Sequence, residues 1–282
     1  MRCDSHIHVV GPAERYPQVA NRTYLASPAS LSEIERLGAT RDVRRFVIVQ
    51  PSFYGTDNTL VLEALDALQG RGRGVAVVDP DTIARTDLVN LNKRGVRGLR
   101  INLYSRLGQD TSLQERFDAV ERLAQNLQWH VEVIAPLKAL SQEVDLLARA
   151  SVPVVIDHYG LYAGFAPNRA EGRALIELMR LPHVWIKLSA PYRSSYDVLA
   201  TRPDPIWMAE LLKAAPDRCV WGSDWPHTPP HEKQRDANAM LPYRPLAYET
   251  VFDEFCAAVG SAELCERILS VNPAKLYRFV EP

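Results

Sequence analysis

The chain predicts an α/β fold in which eight parallel strands close into a (β/α)8 barrel, one domain over residues 1–282, and three observations lead there. Eight short β-rich runs recur, at 4–10, 45–50, 74–78, 98–103, 129–135, 153–158, 184–189 and 219–224. Stretches with helical periodicity separate them, and crossovers of this length imply a parallel sheet with right-handed connections. The length of 282 residues suits a single barrel, which commonly needs about 250 residues. An open doubly wound sheet is the competing topology, but no GxGxxG follows an early strand to support a dinucleotide site.

Taken in order, the first run carries His6-Ile7-His8. Alternate residues of a strand share a face, so both imidazoles point into one space. The helical stretch opening at Ser30-Leu31-Ser32-Glu33-Ile34 has a capping-box signature. Further helices are predicted over 57–68, 111–127, 138–150, 170–181 and 205–215, from apolar spacing and start signals. The eighth run delivers Asp224 where the strand should stop. Pro226, Pro229 and Pro230 then deny helix to the next segment, which should cross the barrel mouth before a closing helix at 246–259. Nothing along the chain reads as a linker, a charge block or a low-complexity tract.

A formal net charge of −1 removes the basic field that nucleic acid or an anionic membrane would require. No apolar run approaches the ~20 residues needed to span a bilayer. The four cysteines, Cys3, Cys219, Cys256 and Cys265, show neither CxxC nor framework spacing and read as buried small hydrophobes, and no apolar signal region precedes the first strand. A reducing cytoplasm is the expected location.

In such a barrel, polar residues at the carboxyl ends of strands belong to the functional face. That rule selects His6 and His8 from the first strand, Arg100 and Asn102 from the fourth, and Glu132 from the fifth. It also selects His158 ending the sixth, Ser189 and the nearby Arg193 after the seventh, and Asp224 ending the eighth. Their convergence from separated segments is hard to explain by packing, because a buried unpaired polar group costs about 1–3 kcal/mol. His130 lies deeper than Glu132 and reads as an interior histidine; His227 reads as a loop-fixing group. Lys187 reads as one half of an interior ion pair.

The HxH pair, Asp157-His158-Tyr159-Gly160, Trp221-Gly222-Ser223-Asp224-Trp225-Pro226-His227 and Asn272-Pro273-Ala274-Lys275-Leu276-Tyr277 resemble the amidohydrolase superfamily, in its amidohydrolase-related branch, along the whole chain. Within it, the run from Val49 to Asn58, Arg100-Ile101-Asn102-Leu103 with Arg106, and Lys187-Leu188-Ser189 with Tyr192-Arg193 are most similar to 2-pyrone-4,6-dicarboxylate lactonases and related sugar-acid lactonases. The resemblance implies a hydrolase opening a carboxylated or polyhydroxylated lactone. Asp224 would be the general base on water, His6, His8 and His158 would polarise the ring carbonyl, and Arg100, Arg106 and Arg193 would hold substrate carboxylates. Glu132, which replaces a tyrosine of the dicarboxylate lactonase, could accept a substrate hydroxyl, complete a metal shell or pair with Lys187. Asn58 reads first as a helix start and second as a substrate contact.

The residue types agree, since arginine forks match carboxylate oxygens in pairs and a lactone needs an activated water and an oxyanion site. No obligatory metal is expected, following the lactonase; the alternative is one divalent zinc or manganese on His6, His8, Asp224 and Glu132. Alternative activities on the same barrel are a lactone isomerase or a metal-dependent amidohydrolase or decarboxylase, and from another class a non-catalytic metabolite binder.

Overall fold

The computed structural model describes residues 1–104, 112–230 and 236–280. Eight strands form one parallel sheet in sequence order: β1 (Arg2–Ile7), β2 (Val43–Val49), β3 (Gly72–Ala76), β4 (Val96–Asn102), β5 (His130–Ile134), β6 (Val154–Ile156), β7 (Val184–Ser189) and β8 (Cys219–Gly222). Around them lie α1 (Leu31–Ala39), α2 (Thr59–Ala67), α3 (Arg85–Lys93), α4 (Leu113–Leu127), α5 (Leu137–Leu140), α6 (Val144–Ala148), α7 (Ala170–Arg180), α8 (Pro205–Ala214), α9 (Tyr248–Val259), α10 (Ala262–Glu266) and α11 (Asn272–Tyr277). The sheet closes into the predicted barrel through β1 and β8. The His8 amide donates to the Trp225 carbonyl at 2.8 Å, the Asp224 amide to the His6 carbonyl at 2.9 Å, and the Ser223 amide to Asp4 Oδ1 at 2.9 Å. Gly222 makes this approach possible, because a Cβ there would stand 2.5 Å from His6 Cβ and 2.8 Å from the His6 nitrogen. The seam that closes the barrel therefore also joins the histidine pair to Asp224.

Apolar packing occupies two zones. A large cluster fills the space between strands and helices, with Phe46, Ile48, Ile186, Leu188 and Trp221 facing Ile34, Leu65, Phe117, Leu175, Leu211 and Phe252. A smaller one, Val47, Val49, Val75, Val155, Trp185 and Val220 with Tyr277 and Phe279, lines and plugs the barrel's inside. Above that plug the interior is polar: Arg100, His130, Glu132, Lys187 and His6 are all buried. The pleat puts them there, since Gly98 pairs with His130 and Arg100 with Glu132 across β4 and β5. Gly98 has no side chain because His130 Nε2 would lie 2.2 Å from its Cβ.

Helix starts follow local chemistry. Ser30 accepts from the Glu33 amide at 3.2 Å, and Ser112 and Glu115 make a reciprocal capping box on α4. Departures from the sequence reading are local. The helix expected over 138–150 breaks into α5 and α6. Strand β6 ends at Ile156; the Asp157 amide still donates to the Val133 carbonyl at 3.0 Å, and His158 turns out of the sheet. α2 begins at Thr59, whose amide is held by Asp57 Oδ1 at 3.0 Å. The weakly apolar α3 went unpredicted by periodicity. Short segments Leu25–Ala26 and Met240–Leu241 pair in parallel, which ties down the chain after β8. Among the described residues no helix is long and apolar enough to cross a membrane.

Candidate active site

Just beyond strands β6, β7 and β8 the backbone takes up left-handed conformations at non-glycine residues: φ is 51° at His158, 50° at Ala190, 60° at Asp224 and 64° at His227. Each such residue costs roughly 1–3 kcal/mol, and such costs persist where surrounding structure over-determines them, typically at functional sites. Here the turns swing His158 and Asp224 across the mouth towards His6 and His8.

Asp224 is fully buried and its two oxygens have different surroundings. Oδ2 accepts the Tyr192 hydroxyl at 2.6 Å and Arg193 Nε and Nη2 at 2.9 and 2.7 Å. Oδ1 has no hydrogen-bond partner among the described residues. It faces His6 Nε2 and His8 Nε2 at 3.5 Å each and His158 Nε2 at 4.0 Å. Burial alone would raise the pKa of Asp224; the Arg193 guanidinium and the neighbouring imidazoles outweigh it and hold the carboxyl well below its usual range. The histidines move the other way for one dominant reason. Burial drives His6 well below its ordinary value, His158 to about 3 and His227 to about 4. At neutral pH Asp224 is a carboxylate against the neutral rings of His6 and His158.

The ring orientations have separate anchors. His8 Nδ1 lies 2.8 Å from the Val49 carbonyl, which can only accept, so Nδ1 donates there and Nε2 is turned to Asp224. His158 Nδ1 meets the Ser189 hydroxyl at 2.8 Å. His6 Nδ1 lies 3.1 Å from Lys187 Nζ and 3.4 Å from Asp157 Oδ1.

Beneath this layer is a buried charge network. Lys187 Nζ donates to Glu132 Oε2 and lies 3.3 Å from Asp157 Oδ1. Arg100 reaches Asp157 Oδ2 at 2.9 Å, the Gln50 carbonyl at 3.3 Å and Glu132 Oε1 at 3.4 Å. Burial first, then the like charge of Asp157, pushes Glu132 up to about 7. Above the histidines, a cleft is lined by His8, Arg100, His158, Arg193, Asn102 and Thr228 on its polar side, and by Tyr24, Phe53, Tyr104 and Ile134 on its apolar side.

Matching the whole barrel to known proteins settles its class. The family model for Amidohydrolase (Amidohydro_2) matches residues 3–279. The chain belongs to the amidohydrolase family. This amidohydrolase is 32% identical to the 4-sulfomuconolactone hydrolase of Rhizobium radiobacter, over 97% of its own length and 89% of the relative's. It is 30% identical to the 2-pyrone-4,6-dicarboxylate hydrolase of Comamonas testosteroni, over 97% and 89%. Among solved structures, a probable 2-pyrone-4,6-dicarboxylic acid hydrolase of Acinetobacter baumannii with citric acid bound superposes with a TM-score of 0.80 at 28% identity, covering 99% of each chain.

The structure brings His6, His8, His158, Asp224, Arg100 and Arg193 to one mouth, as the sequence reading placed them. Arg106 lies outside the described residues. Two expectations need correction. Of the three roles open to Glu132, the structure has the pairing with Lys187: it is not in the ligand shell around Asp224 and does not line the cleft, and its side chain is fully buried against Lys187 and Arg100, because on β5 it sits one layer below the mouth. Asn58 does not line the cleft either: its amide donates to the Thr56 and Val77 carbonyls at 2.9 and 2.8 Å and accepts from the Val77 amide at 3.2 Å, which locks the loop after β3. Tyr192, Asp157 and Arg244 are the residues the reading undervalued. The first two sit beside residues it did choose, Arg193 and His158. Arg244, whose guanidinium lies 4.4 Å over the Tyr192 ring, comes from a loop with no periodic signal.

Proposed function

We propose that this amidohydrolase hydrolyses a lactone bearing an acid group, in the cytoplasm, by attack of an Asp224-activated water on the ring carbonyl. The observation that carries the reading is the asymmetry of Asp224, one oxygen clamped by Tyr192 and Arg193 and the other unpartnered and turned to three imidazoles. The similarity to hydrolases of 4-sulfomuconolactone and 2-pyrone-4,6-dicarboxylate supports the substrate class.

With a lactone in the cleft, a water between Oδ1 and the carbonyl carbon gives its proton to Asp224 as the carbon–oxygen bond forms. A carboxylate held this low in pKa is a weak base, so its contribution comes from full ionisation and fixed position. The oxyanion needs a donor. His158 is placed to give it: with the Ser189 hydroxyl donating to Nδ1, Nε2 carries the hydrogen and opens on the cleft. Collapse of the tetrahedral centre breaks the ring carbon–oxygen bond, and the alkoxide recovers the proton from Asp224. Arg193, with Arg100 at the cleft wall, supplies the positive field for the substrate's acid group.

The donor set also fits one divalent cation in type and spacing, because His6 Nε2 and Asp224 Oδ1 are buried without hydrogen-bond partners among the described residues and converge with His8 Nε2. His6, His8 and Asp224 would hold it, and it would supply Lewis-acid polarisation of the carbonyl and of water. Charge balance supports a reaction that does not require it. Lys187, Arg100 and Arg193 already offset Glu132, Asp157 and Asp224, so a dication would leave buried positive charge uncompensated.

The test is a panel of acidic lactones followed by mass and proton release, with wild type and Asp224→Asn. Ring-opened product from wild type, and a kcat lower by about 10²- to 10⁴-fold in Asp224→Asn with KM kept, are expected. A product that stays cyclic would replace hydrolysis by isomerisation. Equal turnover by the variant would remove Asp224 from the chemistry.

A further inference from the structure

We propose that Cys256 and Cys265 form a peroxide-sensitive thiol pair, which a hydroperoxide converts into an intramolecular disulfide beside the seam that closes the barrel. The pair lies away from the catalytic mouth. Cys256 is near the end of α9 and Cys265 within α10, and their Sγ atoms are 2.9 Å apart. A disulfide needs about 2.05 Å, so the sulfurs have less than ~1 Å to travel. The chain turn that brings them together uses Gly260, at φ 69° with open space around it, and Ser261, which caps α10. Arg2, at the start of β1, is at this spot as well: it pairs with Glu266 of α10 at 2.9 Å and lies 5.8 Å over the Phe252 ring of α9.

The two sulfurs have different roles. Cys256 is the accessible one, half-buried, while Cys265 is 7% exposed. The thiol of Cys265 donates to Cys256 Sγ and the positive charge of Arg2 is close by, and both favour a thiolate at Cys256, whose pKa lies below the ordinary thiol value. In the reaction, the Cys256 thiolate attacks a peroxide oxygen, the O–O bond breaks and a sulfenic acid forms as the first water leaves. Cys265 then loses its proton and its sulfur displaces hydroxide from Cys256 Sγ, releasing the second water. Two thiols are oxidised by two electrons and one hydrogen peroxide is reduced to two waters. Cys3 and Cys219, 1% and 0% exposed and with thiols raised in pKa by burial, serve as internal controls. The staple would hold α9 to α10, which leads into the turn where Asn272 caps the Pro216 and Cys219 carbonyls at the start of β8.

The full-length protein is treated with hydrogen peroxide and its thiols are counted after denaturation. The count should fall from four to two, with the mass of two hydrogens lost, a Cys256–Cys265 peptide in the digest and reversal by dithiothreitol. Closing a loop of about ten residues should raise Tm by roughly 4 °C. In Cys265→Ser, dimedone should trap a sulfenic acid at residue 256, and in Cys256→Ser residue 265 should resist. Four surviving thiols, a bridge through Cys3 or Cys219, an intermolecular bridge, or equal dimedone labelling of Cys219 would overturn the proposal.

Discussion

Replacing Lys187 by methionine tests whether the charged layer under the histidines is a single unit. The Lys187 side chain is fully buried and its Nζ meets Glu132 Oε2, Asp157 Oδ1 at 3.3 Å and His6 Nδ1 at 3.1 Å. With Arg100 it balances two carboxylates. Methionine fills similar space and leaves one negative charge without its partner, a defect that costs about 3–5 kcal/mol. An unfolding entropy of ~2.1 cal/mol/K per residue gives ~0.6 kcal/mol/K for a chain of 282 residues, so Tm should drop by roughly 5–8 °C. Glu132 sets the pH dependence. Its folded pKa of about 7 lies above the ordinary 4.5, so the folded state keeps a proton that the unfolded chain has released, and stability falls as pH rises until about 7. Without Lys187 that fall continues past 7, and the gap to wild type should widen from pH 7 to 9. Adding Glu132→Gln should recover more than half of the loss. The assay is calorimetry of the wild type, both single variants and the double variant at two pH values. An unchanged Tm, or no rescue by Glu132→Gln, would refute the coupled network.

Three further outcomes are expected. Tyr192→Phe removes one hydrogen bond to a buried carboxylate, worth about 1.5–3 kcal/mol, and should lower kcat about 10- to 100-fold with little change in KM; a KM effect alone would deny Tyr192 its hold on Asp224. For acid stability, His6, His130, His158 and His227 stay neutral in the fold while the unfolded chain protonates them below about 6.5, and Glu132 and Asp4, raised to about 7 and about 6, offset part of that uptake. The net of about two protons predicts a loss of roughly 3 kcal/mol per pH unit as pH falls from about 6 to 4.5, read from urea midpoints, whereas a flat profile would contradict the buried neutral rings. Turnover should survive exhaustive chelation, and loss restored by zinc or manganese would make the metal obligatory.

Strand spacing and the alternation in His6-Ile7-His8 made the barrel and half its active centre readable before any coordinates, because pleat and sheet closure leave a strand few places to point its side chains. Asp224 and His158 were readable as strand-end groups, although both sit two residues past the ends of β8 and β6, in left-handed conformations that no propensity announces. What periodicity could not show was depth. Glu132 and Arg100 face the same interior as the mouth residues, and only the stagger between strands puts Glu132 a layer down against Lys187, a partner 55 positions away. The same limit hid the use of Arg193: a loop arginine chosen for substrate is shared with the base it positions. Asn58 stands at the start of α2, as its first reading had it, while its amide closes a loop and not a substrate contact.

The most direct measurement is a single turnover of an acidic lactone in ¹⁸O-labelled water with enzyme in excess. If Asp224 Oδ1 delivers water to the carbonyl carbon, the new carboxylate carries one ¹⁸O from the first turnover and the enzyme carries none. Unlabelled product with the label retained in Asp224 would mean that the carboxylate attacks the lactone itself, and the account of a water-activating base would be wrong.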